Sequence, residues 1–153
     1  MSGFQHFCKL YKDGFLATEQ LGNGNDLHFR IGREKEAFAC KKNIKGEWVP
    51  ASSIVLVNQL NQAMPKRFIA KSGWSVLDAE TNVEVTTDAS KWGFEFILPP
   101  CNDLHELFGK QAKTMGDVVS FAAKKDVYIM GLATNPLAGK NRDDWVPKPR
   151  YTG

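Results

Sequence analysis

Basic and aromatic residues recur together in two short windows of the chain, and that mixture has a recognisable use. Lys41, Lys42, Lys45 and Trp48 lie around one turn, and Lys66, Arg67, Phe68, Lys71 and Trp74 form a second group. Aromatic rings on a sheet stack against unpaired bases, at about 1–3 kcal/mol per base, while neighbouring cations follow the phosphates. Small β-rich barrels use this arrangement. The competing reading puts Trp48, Phe68 and Trp74 into a core and leaves the lysines as a solvated face.

A second candidate centre is carboxylate chemistry. The segment Thr86-Thr87-Asp88-Ala89-Ser90-Lys91-Trp92-Gly93 resembles the first strand of the RNase H domains attached to retroelement reverse transcriptases. That resemblance implies a divalent-metal ligand at Asp88, with further carboxylates on a following helix and strand. Glu106 and Asp126 are the residues here that could complete such a set. Clustered carboxylates suit hard cations, and two such ions stabilise both oxygens in phosphodiester cleavage. Read by themselves, the same residues describe a turn opened by Asp88.

The thiols and imidazoles make a weaker set. Cys8, Cys40 and Cys101 are odd in number and include no Cys-x-x-Cys pair, so free thiols in a reducing compartment are expected. His6 with Cys8, and Cys101 with His105 near a helix start, are the only pairings that suggest a ligand or a nucleophile. Buried cysteines and surface histidines are the better reading of them. Gly22-Asn23-Gly24 lacks the spacing of a phosphate loop, and no Gly-x-Ser-x-Gly elbow is present. Trp145 and Tyr151, in a polar, Pro-containing tail, suggest an anchor for another protein or a clamp onto the chain's own domain.

The elements that must position these residues follow from periodicity. Gly14–Gln20 and Asp26–Gly32 flank an Asn-Gly turn and predict a hairpin. Ala37–Lys41 and Glu47–Val49 predict a second one, turned by Asn43-Ile44-Lys45-Gly46. Ser52 or Ser53 caps a helix running to Met64. Gly73–Ala79 and Val83–Thr87 surround Glu80-Thr81-Asn82 as another hairpin. Trp92, Phe94, Phe96 and Leu98 alternate with smaller or polar residues as a strand that Pro99-Pro100 stops. Two helices then follow, one capped by Asn102 and one by a capping box at Thr114–Asp117, before a last strand over Asp126–Gly131.

Strands first and helices later favour an α+β fold, an antiparallel, barrel-like meander with two to three helices packed on it. Length fits one domain over residues 1–135, with residues 136–153 as the tail. Net charge is +3 and the pI is near 8.7, which permits a polyanionic partner without requiring one. No apolar run approaches a bilayer span, and a cytoplasmic protein without cofactor or bound metal is expected. By elimination of catalytic motifs, the sequence reads as a non-enzymatic protein that binds single-stranded nucleic acid. A protein-binding regulator is the alternative, and an RNase H-like nuclease the minor one.

Overall fold

Alternation governs the fold, because each strand must turn one row of side chains inward and the other outward. The computed structural model describes residues 31–131. These contain the strands β1 (Ile31–Lys42), β2 (Trp48–Pro50), β3 (Phe68–Ser72), β4 (Ser75–Asp78), β5 (Glu84–Thr87), β6 (Gly93–Cys101) and β7 (Val127–Met130). Two helices, α1 (Ser53–Ala63) and α2 (Leu104–Ala123), are interspersed. The expected hairpin near Asn23 and the polar tail fall outside the described residues. Among the described residues, no helix is long and apolar enough to cross a membrane.

All strand pairings are antiparallel, in the order β2-β1-β6-β5-β4-β3, with β7 added on β1. The sheet curls into a half-barrel, and the α+β expectation holds. One sheet face carries Ala37, Ala39, Val76, Val85, Phe94, Phe96 and Leu98, which join Leu56, Val57 and Leu60 of α1 and Leu107, Val118 and Ala122 of α2 in one buried cluster. Phe94 and Phe96 are fully buried, and their rings stack 6.3 Å apart. Burying a side chain of this size contributes about 1.5–3 kcal/mol, so β6 anchors the core.

Several local expectations hold. Ser52 caps α1, its hydroxyl accepting from the Val55 amide, and Gly46 makes the first turn with a left-handed φ of 78°. Asn82 turns the β4–β5 hairpin at φ 58°. Others are corrected. Pro99-Pro100 does not stop β6, which continues to Cys101. Between the pairs Ile31↔Cys101 and Arg33↔Leu98, β6 carries one residue more than β1. That bulge is where proline is tolerated within a sheet. The two late helices are one, because Thr114 does not cap a helix. Its hydroxyl is buried and donates to Asp78 Oδ2 at 2.7 Å. Asp103, rather than Asn102, caps α2 by accepting from the Glu106 amide. Strand β3, unforeseen, buries Phe68 at its start.

Asp78 ties the β4–β5 hairpin to α2. Its carboxylate is fully buried and accepts from Arg67 Nε and Nη2, the Thr114 hydroxyl and the Glu80 amide. Arg67 also donates to Asp117 at 2.6 Å, and Thr81 and Thr114 share a hydroxyl hydrogen bond of 2.6 Å. Burial alone would raise the Asp78 pKa, but the Arg67, Thr114 and Glu80 hydrogen bonds prevail and hold it below the ordinary carboxylate value. A depressed pKa contributes stability that is present above the unfolded value and lost as pH falls through the folded one. Asp78→Ala should therefore cost about 3–5 kcal/mol in urea unfolding, as expected for a half-removed buried ion pair. Wild-type stability should decline as pH falls below about 4, and this acid loss should be shallower in the variant.

Candidate functional site

The other sheet face, turned away from α1 and α2, holds the polar residues of the strands. The β1–β6 register that places Ala37 opposite Phe94 in the core must place Glu36 opposite Glu95 on this far face. Further pairings continue the row, with Glu95 opposite Thr86 and Thr86 opposite Ser75. Ser72 and Ser75 then share a 2.9 Å hydroxyl hydrogen bond. Two carboxylates and three hydroxyls thus cross five neighbouring strands. Glu34 and Glu84 flank the row, each paired with Ile97 of β6.

Exposure grades along this row. Glu36 and Glu34 are exposed, Glu95 is half-buried, and Thr86 and Ser75 are buried. Lys71 reaches Glu84 at 2.5 Å, which places a cation at the β3 end. Further along β1 the same face turns apolar and aromatic. Phe38 lies opposite Met130, Cys40 opposite Tyr128, and Lys42 opposite Trp48. Trp48 and Tyr128 meet edge to face at 5.2 Å, with the Lys42 ammonium 5.3 Å from the Trp48 ring. A carboxylate-lined surface of this kind attracts ammonium groups and offers bases for proton transfer.

The residues singled out from sequence are distributed differently. Asp88 opens the β5–β6 turn, its amide bonded to the Gly93 carbonyl. Glu106 belongs to the α2 cap, where it accepts from the Asn102 amide and pairs with Lys110 at 2.8 Å. Asp126 occupies a left-handed turn at φ 55°, between α2 and β7. They do not form a metal centre. Among the described residues, no group of three or more His, Cys, Asp or Glu could hold a metal ion. Lys41, Lys42, Lys45 and Trp48 do gather near the β1–β2 turn, with Trp48 exposed. In the second window, Arg67 is engaged by Asp78 and Asp117, and Lys71 by Glu84. Lys66 is exposed, and Trp74 is half-buried.

Neither described thiol suits nucleophilic work. Cys40 is fully buried and burial pushes its pKa up, while the Cys101 thiol donates to the Pro99 carbonyl at 3.2 Å. Sequence reasoning passed over Glu34, Glu36 and Glu95. The available signal was Glu95 standing alone as a charge among Phe94, Phe96 and Leu98, and the Glu34-x-Glu36 alternation that leads into Ala37.

A family model described as Glutamate-cysteine ligase family 2 (GCS2) matches residues 30–153. No curated protein and no solved structure matches the chain. The family match overturns the expectation of a non-enzymatic binding protein, and with it the assignment to single-stranded nucleic acid. In the second window, Arg67 and Lys71 neutralise carboxylates instead of waiting for phosphates. The carboxylate row also has a stability consequence, since like charges directly opposite on neighbouring strands are unfavourable by about 0.2–1 kcal/mol. Glu36→Gln should leave the thermal unfolding midpoint unchanged or higher, as read by differential scanning calorimetry.

Proposed function

The chain belongs to glutamate–cysteine ligase family 2, and from that premise we propose that it catalyses amide formation between the carboxylate of one amino acid and the amine of another. Glutamate and cysteine, the pair in the family's name, are the proposed substrates. The far face of the sheet is the proposed site. The observation that supports it is the direct cross-strand pairing of Glu36 with Glu95 within the matched residues.

The chemistry sets what such a site must do. An amino acid's amine arrives as an ammonium, and it must lose a proton before its lone pair can attack an acyl carbon. Glu36 and Glu95 attract the ammonium, and one of them accepts the released proton as general base. A new C–N bond then forms, and the oxygen lost from the carboxylate leaves with its activating group. A ligase takes that activation from a nucleoside triphosphate, whose phosphates are usually accompanied by a divalent cation. Among the described residues no three His, Cys, Asp or Glu converge into a protein cage for that cation, which is commonly held by one or two carboxylates and the phosphates themselves. The roles assigned to this chain are substrate attraction, orientation and proton transfer.

Ser72 and Ser75, whose hydroxyls share one hydrogen bond, leave one O–H that can turn to a substrate carboxylate, whereas the Thr86 hydroxyl donates to backbone carbonyls. A cytoplasmic setting is part of this proposal. The free buried thiols Cys40 and Cys101 suit a reducing compartment, and a cysteine substrate must itself remain reduced.

The test is a coupled assay with glutamate, cysteine and ATP. Wild type should release one equivalent of nucleotide product per amide formed, and only when both amino acids are present. Glu36→Gln and Glu95→Gln should each lower turnover by on the order of 10²-fold or more, the scale of a lost general base, with an unchanged circular dichroism spectrum. Amide synthesis that is unaffected by both substitutions would remove the far face from the mechanism.

A further inference from the structure

The helix-covered side of the sheet carries a feature that amide synthesis on the far face leaves unused. The first turns of α1, the end of β1 and the chain entering β7 leave a crevice of about 300 Å³, within the size range of small-molecule sites. Leu56 and Val127 give it an apolar lining, joined by Val55 and by the amide side chain of Gln59. Lys41 and Lys125 supply its charge. Lys41 pairs with Val127 across β1 and β7, so it lies on the sheet face opposite Glu36. Lys125 holds its ammonium 5.1 Å from the Phe121 ring.

The crevice gathers two lysines that no carboxylate neutralises. Arg67, Lys71, Lys110 and Lys113 all pair with carboxylates. Among the described residues, Lys41 and Lys125 have no acidic partner, and no carboxylate lines the crevice. Two uncompensated positive charges beside an apolar floor create a local positive potential with no internal counter-ion. The apolar lining favours an anion that carries hydrocarbon over a compact, strongly hydrated one.

We propose that this crevice binds a small organic dicarboxylate, with its methylene spacer against Leu56 and Val127 and its carboxylates near Lys41 and Lys125. The site lies on the opposite sheet face from the proposed synthetic one, and its occupancy does not depend on catalysis. The ligand is an effector or a second substrate-class molecule held apart from the reacting groups.

Titration calorimetry with glutarate at low ionic strength, without nucleotide or cysteine, tests this directly. Glutarate should bind saturably to wild type and to Glu36→Gln alike. Lys41→Gln and Lys125→Gln should each weaken it by about fivefold, the scale of one exposed ion pair. Val55→Trp, at a side chain already 52% exposed, should fill the crevice and abolish binding without loss of fold. Inorganic phosphate should bind more weakly than glutarate, because it has no hydrocarbon to bury. The proposal fails if glutarate shows no saturable binding, if the lysine or tryptophan substitutions leave its affinity unchanged, if phosphate binds equally well, or if Glu36→Gln abolishes binding. The last result would move the ligand to the far face without touching the ligase reading.

Discussion

The register between β1 and β6 is the constraint on which the other features depend. With a side-chain period of two, a slip of one residue would move every side chain of a strand to the other face. Ala37 faces Phe94, and Lys35 faces Phe96, on the side where the helices pack. Burial of the two phenylalanines fixes that alignment, and Glu36 then has no position other than opposite Glu95. The core thereby determines the geometry of the polar face. Like charges directly opposite on neighbouring strands are unfavourable by about 0.2–1 kcal/mol, a cost the core register imposes on the polar face.

The far end of the sheet is stabilised by a different device. Strands β3, β4 and β5 are short, and strand pairs of this length are marginal by themselves. The buried Asp78 carboxylate, saturated by Arg67, Thr114 and the Glu80 amide, links their hairpin to α2. Because α2 also packs under β6 through Leu107 and Val118, the clamp connects both halves of the row running from Glu36 to Ser75. The row therefore rests on a scaffold anchored at both ends.

Much of this scaffold could be read from periodicity. The aromatic alternation of β6, the Ser52 cap and the hairpin turns at Gly46 and Asn82 are local signals, and each appears where its own residues require. The failures were non-local. Thr114 reads as a cap until Asp78, distant in sequence, claims its hydroxyl. Pro99-Pro100 reads as a stop until the register with Ile31 and Arg33 makes room for a bulge. The same holds for the site. Lys71 and Arg67 look free in one dimension, whereas their carboxylate partners come from other strands or from α2. Glu36 and Glu95 lie far apart in the chain, and only the pairing of β1 with β6 brings them together.

The assignment of amide-forming chemistry to the far face can be examined residue by residue with substrate-induced NMR shifts. Glutamate and cysteine added to ¹⁵N-labelled protein should perturb the amides of Glu34, Glu36, Glu95 and Thr86, with saturation and with little change along the outer turns of α2. Perturbations absent from β1 and β6, or confined to the helix-covered side, would contradict that assignment.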